Sequence, residues 1–119
     1  MADVLLIDDD VSFLRDLAEG LHISSRATNV ITADNAEKAI QILRTAVMDV
    51  IITDLNMPGI NGFELIQRVQ RQFPHIPVII MSAYARTMVQ DRLQGIRYAE
   101  YIEKPLDLAE IADAIRAVS

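Results

Sequence analysis

Asp49-Val50-Ile51-Ile52-Thr53-Asp54-Leu55-Asn56-Met57-Pro58-Gly59-Ile60-Asn61-Gly62 is the stretch whose reading decides the fold. Val50, Ile51, Ile52 and Thr53 are apolar or β-branched without a polar interruption, which predicts a strand buried on both faces. The run stops at Asp54, and Pro58, Gly59 and Gly62 then mark a loop. A carboxylate at the end of a buried strand, facing such a loop, is placed for chemistry at the mouth of an α/β sheet. The same residue could equally be a turn-initiating aspartate. The flanking sequence decides.

Upstream, Val4 to Ile7 is a short apolar run that breaks off in Asp8-Asp9-Asp10. Val11, Leu14, Leu17, Ala18 and Leu21 follow at helical spacing, so residues 3–24 read as strand, acidic turn and helix. Val30-Ile31 predicts a shorter strand. Asp34, with Glu37 three residues on, predicts a capped helix whose apolar face is Ala36, Ala39, Ile40, Leu43 and Val47. Downstream, Asn61 and Glu64 repeat that cap before a helix to about residue 72, with Leu65, Ile66, Val69 and Phe73 inward. Val78 to Met81 is the next apolar run and ends at Ser82-Ala83. A weaker helix spans 86–93 and Gly95 ends it. Tyr101-Ile102 predicts the last strand, closed by Glu103-Lys104-Pro105. Asp107 with Glu110 caps a final helix carrying Leu108, Ile111, Ala112, Ile115 and Val118.

Strands and helices alternate throughout, which predicts an α/β domain. The expected form is a doubly wound five-stranded parallel sheet with helices on both faces, flavodoxin-like, of strand order 2-1-3-4-5. At 119 residues the chain is expected to be one domain, 1–119, with no output domain expected in it. A net charge of −6 argues against nucleic acid as a direct partner. No apolar run approaches the ~20 residues that span a bilayer, so no membrane role is expected, and the cytoplasm is the default compartment. Without cysteine there is neither a disulfide nor a thiolate metal site. His22 reads as a helix-surface residue and His75 as a loop residue, and neither suggests a transition-metal site.

In a doubly wound sheet the ligand site lies beyond the carboxyl ends of the strands. The residues that follow the apolar runs there are Asp8 and Asp9, Asp54, Ser82 and Lys104. Clustered carboxylates repel one another unless a hard cation sits among them, and oxygen-only ligands point to Mg2+. Lysine supplies a cation for a phosphoryl oxygen and serine a neutral donor. Taken singly, Asp8 to Asp10 could be a solvated helix N-terminus and Lys104 a surface residue. Their joint placement at four strand ends is what argues for a site.

The chain resembles the receiver domain of bacterial two-component response regulators over essentially its whole length. The resemblance rests on Leu5-Leu6-Ile7-Asp8-Asp9-Asp10, Asp49 to Gly59, Ile80-Met81-Ser82-Ala83 and Tyr101-Ile102-Glu103-Lys104-Pro105. It implies a phosphorylation-dependent signalling switch rather than an enzyme acting on a metabolite. Asp54 would accept a phosphoryl group from the phosphohistidine of a sensor histidine kinase or phosphotransfer protein. Asp9 would ligate Mg2+ directly, Asp8 mainly through water, Asp54 as a further carboxylate and Asn56 through its backbone carbonyl. Ser82 and Lys104 would contact the phosphoryl oxygens, and Tyr101 would turn inward as Ser82 moves. A cis Lys104-Pro105 bond is also implied. A downstream protein or output domain would read the change, and the resemblance leaves room for a phosphorylation-dependent dimer. The segment Gly95-Ile-Arg-Tyr-Ala-Glu100 is longer than the family pattern.

The runner-up is an Mg2+-dependent phosphohydrolase with an aspartyl-phosphate intermediate. That class wants an acid/base Asp two residues after the nucleophile, where this chain has Asn56, and a covering insertion for which there is little room. A flavin carrier would have to place its phosphate against three aspartates. A pseudo-receiver is disfavoured because no pocket residue is missing.

Overall fold

The computed structural model describes residues 2–24, 28–55 and 62–118. In chain order the elements are β1 (Ala2–Ile7), α1 (Val11–Ser24), β2 (Thr28–Ala33), α2 (Ala36–Thr45), β3 (Val50–Asp54) and α3 (Gly62–Gln72). They continue with β4 (Val78–Ser82), α4 (Arg86–Val89), a 3-10 turn (Gln90–Leu93), β5 (Glu100–Glu103) and α5 (Leu108–Val118). The strands form one parallel sheet in the order β2-β1-β3-β4-β5.

Strand periodicity sorts the central residues onto two faces. Leu5, Ile7, Ile51, Val78 and Ile80 pack against α2, α3 and the α4 region. Val4, Leu6, Val50, Ile52, Ile79 and Met81 pack against α1 and α5. Burial on both faces is why these strands read as unbroken apolar runs, and each such side chain contributes about 2 kcal/mol. The chain leaves β1 toward β2 and returns on the other side of β1 as β3. The two crossovers diverge there and open a crevice at the carboxyl ends of β1 and β3. Asp8 follows the first of these strands and Asp54 ends the second.

Local departures from the sequence reading have physical causes. The N-cap of α2 is Asn35, not Asp34: Asn35 is extended and its side chain accepts from the Lys38 N–H at 2.9 Å. Asp34, one residue earlier, pairs with the Lys38 ammonium at 2.9 Å, and that hydrogen bond lowers its carboxyl pKa. Val47 is 82% exposed rather than inward, because α2 stops at Thr45 and Ala46 is extended; Met48 is buried instead. The helix expected over 86–93 is a single α turn followed by a 3-10 turn, with no side-chain cap at Ala85. The edge strands β2 and β5 run beyond Val30-Ile31 and Tyr101-Ile102, into polar residues that alternation alone does not mark. Asp107 does cap α5, accepting from the Ala109 N–H at 2.9 Å. The Asn61 cap expected for α3 lies outside the described residues.

Candidate functional site

The crevice between β1 and β3 brings together the residues that the sequence scatters. The triplet after β1 splits into three roles. Asp8 is 1% exposed; one carboxylate oxygen accepts from the Asp10 N–H at 3.0 Å and the other from Lys104 Nζ at 2.9 Å. Asp9 faces solvent at the rim. Asp10 caps α1, accepting from the Phe13 N–H at 3.1 Å, so the helix-terminus reading holds for that residue alone.

Asp54 is buried, and its carboxylate accepts from Lys104 Nζ at 3.2 Å. Lys104 therefore bridges two buried carboxylates, and its Nζ also stands 4.5 Å from the centroid of the Phe13 ring. Burial opposes its charge, but the Asp8 hydrogen bond and the charges of Asp54 and Asp8 prevail and raise its pKa. Phe13, which falls outside the helically spaced apolar set Val11, Leu14, Leu17, Ala18 and Leu21, is a residue that the sequence does not reveal as part of the site.

One carboxylate oxygen each from Asp8, Asp9 and Asp54 can be chosen so that all lie within 4.8 Å of one another. A hard divalent cation fits among oxygens so spaced. The Asp9 carboxyl is pushed above the ordinary value by desolvation first, then by its hydrogen bond to Asp8 and by the charges of Asp8 and Asp54. Asn56, expected to add a backbone carbonyl, lies outside the described residues.

The raised Asp9 pKa fixes the sign of a prediction. A carboxyl raised on folding stabilises the native state at low pH, and that contribution is lost as pH rises through the folded pKa. At neutral pH the ionised Asp9 therefore costs stability. Asp9→Asn is expected to raise the thermal midpoint of metal-free protein at neutral pH and to shrink the Mg2+-induced rise. Thermal melts with Mg2+ and with EDTA check this; a lowered midpoint with an unchanged Mg2+ shift would show that Asp9 merely serves a helix terminus.

On the far side of Asp54, Ser82 is wholly buried at the end of β4, and its Oγ accepts from the Tyr84 N–H at 3.0 Å. The Lys104 N–H donates to the Ser82 carbonyl at 2.7 Å, which joins the ends of β4 and β5. Tyr101 is half-buried and donates its hydroxyl to the Tyr84 carbonyl at 2.7 Å; desolvation raises its pKa. The Tyr84 residue thus holds Ser82 through its N–H and Tyr101 through its C=O, a link that no sequence signal marks. The Lys104-Pro105 peptide is cis. His22 and His75 are both exposed and belong to no metal-ligand cluster among the described residues.

A parallel sheet wound both ways, with an acidic crevice at its switch point and a lysine reaching in from the last strand, defines the CheY-like class of α/β domains. The chain belongs to the response regulator receiver domain family, which matches residues 4–116. It is 31% identical over 116 residues to the response regulator protein FleR of Pseudomonas aeruginosa, covering 96% of this chain and 24% of that protein. Its identity to the transcriptional regulatory protein GlrR of Escherichia coli is 32%, covering 96% of this chain and 25% of that one. This chain thus spans about a quarter of the length of those relatives. Among solved structures, the chemotaxis response regulator CheY4 of Vibrio cholerae superposes with a TM-score of 0.88 at 25% identity, covering 100% of this chain and 99% of that one. The response regulator TrrA of Thermotoga maritima, in complex with Mg2+ and BeF, shares the fold at a TM-score of 0.88 and 24% identity, covering 100% of both chains. No helix among the described residues is long and apolar enough to cross a membrane.

Proposed function

We propose that residues 1–119 act as one phosphorylation-dependent switch domain in which Asp54 is the phosphoacceptor. The observation that carries this is the pairing of Asp54 with Lys104 inside a three-carboxylate cluster at the switch point. The phosphoryl donor is the phosphohistidine of a sensor histidine kinase or of a phosphotransfer protein. An Asp54 carboxylate oxygen attacks phosphorus, the P–O bond forms as the P–N bond breaks, and the imidazole leaves with the electron pair and takes up a proton. Asp8, Asp9 and Asp54 would hold Mg2+, which when bound neutralises charge between the carboxylate and the incoming phosphoryl group.

Lys104 leaves the bare carboxylates for the new phosphoryl oxygens, a short move for an ammonium already 3.2 Å from Asp54. Ser82 turns its hydroxyl from the Tyr84 N–H toward the same oxygens. Tyr84 then loses one of its two holds, and the packing of Tyr101 shifts with it. That surface change is what a downstream protein or output domain reads, with Tyr101 at its centre; it also offers a face for phosphorylation-dependent dimerisation. The domain promotes only its own phosphorylation and dephosphorylation. The net charge of −6 favours a protein over a nucleic acid as the direct partner, and the cytoplasm is the compartment that supplies such kinases.

Intact-mass measurement tests this after incubation with acetyl phosphate. One added phosphoryl group is expected with Mg2+, little with EDTA, and none in Asp54→Asn. Equal labelling of that variant would remove Asp54 from its role.

A further inference from the structure

The segment before β5 that is longer than the family pattern builds a second cavity, at the opposite end of the sheet from Asp54. It lies where the chain enters β4 and β5, between the turn after α3 and residues 97–99, and is an open-sided pocket of about 190 Å³. Its floor is apolar, from buried Ile76 and Val78, and one wall is the half-buried ring of Tyr98. Arg97 also lines it, is exposed, and makes no ion pair among the described residues.

The walls are preformed. The Gln70 amide donates to the Arg97 carbonyl, tying the segment to α3. The Ala99 N–H donates to the Val78 carbonyl at 2.7 Å, and the Ile76 N–H to the Phe73 carbonyl at 3.2 Å. Preformed walls spare a ligand the entropy of ordering them.

We propose that this cavity is a binding site for a small carboxylate carrying a single aromatic ring. A cavity of ~150 Å³ holds benzene, so the pocket has room for one ring. Apolar Ile76 and Val78 and the aromatic Tyr98 take the ring, and the Arg97 guanidinium takes the carboxylate in a charge-assisted contact. The Tyr98 ring lies edge-on to Tyr101, with centroids 6.4 Å apart at 67°. A ligand seated on Tyr98 therefore bears on the residue whose packing changes at the other end of the switch. The site itself does not depend on phosphorylation of Asp54.

Benzoate is the probe, titrated into isotope-labelled protein at constant ionic strength and followed by amide and tyrosine-ring resonances. Saturable shifts are expected at Ile76, Val78, Tyr98 and Ala99, with a movement of the Tyr101 ring. Benzyl alcohol, which keeps the ring and lacks the charge, should bind about tenfold more weakly, and so should benzoate to Arg97→Gln. Arg97 is exposed, so that variant should keep the parent spectrum without ligand. Inorganic phosphate should leave these amides unmoved. Equal binding of phosphate and benzoate, or benzoate affinity unchanged in Arg97→Gln, would overturn the site. Saturation without movement of the Tyr101 ring in parent protein would overturn the link to the switch.

Discussion

Lys104→Ala is expected to lower the stability of metal-free protein by about 2–3 kcal/mol. Removing one partner of a buried ion pair leaves the other charge uncompensated, which costs about 3–5 kcal/mol when burial is complete. Here two carboxylates lose the same ammonium, 2.9 Å from Asp8 and 3.2 Å from Asp54. The lysine side chain is itself 24% exposed, so solvent screens part of the loss. The raised Lys104 pKa gives the pH window. Its contribution is complete below the ordinary lysine value of about 10.4 and fades as pH rises through the folded value. Parent and variant should therefore converge in strong alkali. Because Mg2+ would neutralise the same carboxylates, the variant should gain more from it than the parent does. Urea unfolding of both proteins, with and without Mg2+, checks this; equal stabilities at neutral pH would mean that Lys104 does not compensate the cluster.

Gly62→Ala should cost about 3 kcal/mol, at the upper end of overpacking penalties. A Cβ at this position would stand 2.4 Å from the Asp54 carbonyl oxygen and 2.4 Å from the Leu55 Cα, both of them backbone. The Gly62 N–H also donates to the Leu55 carbonyl at 2.9 Å, so the start of α3 is fastened to the end of β3. Making room must shift the strand end that carries Asp54, the proposed phosphoacceptor, and displacing a reacting group by a fraction of an ångström slows transfer about tenfold or more. Gly95→Ala is the contrast. Gly95 has a φ of 79° but open space around its Cβ position, so that change should cost about 1–2 kcal/mol from backbone strain alone. Its labelling rate should match the parent. Stopped-flow labelling and urea melts of the two variants distinguish a crowded site from a merely destabilised chain.

The strands β1, β3 and β4 are legible in the sequence because both of their faces are buried, and an apolar run is what that burial requires. The edge strands are less legible, since Asn29, Thr32, Glu100 and Glu103 are exposed and carry no such demand. The α4 region misleads because Val89 and Leu93 are helically spaced, while the chain between them tightens into a 3-10 turn. The strand-end rule brings Asp8, Asp9, Asp54, Ser82 and Lys104 together because a parallel sheet gathers its carboxyl ends on one rim. Composition could not divide the labour within Asp8-Asp9-Asp10. Three identical residues become an ion-paired buried acid, a rim carboxylate and a helix cap only through the direction in which the backbone turns after Ile7. Nor could it reveal that Lys104 rests between two carboxylates, since the lysine is fifty and ninety-six positions away from them.

Locating the phosphoryl group tests the central claim most directly. Protein incubated with acetyl phosphate and Mg2+ is quenched with borohydride, which reduces an acyl phosphate to an alcohol and leaves free carboxylates untouched. Peptide mass spectrometry should then find homoserine in place of aspartate at position 54, and aspartate intact at positions 8 and 9. Homoserine at position 8 or 9 with Asp54 unmodified, or no reduced aspartate in protein that has gained the phosphoryl mass, would contradict the account.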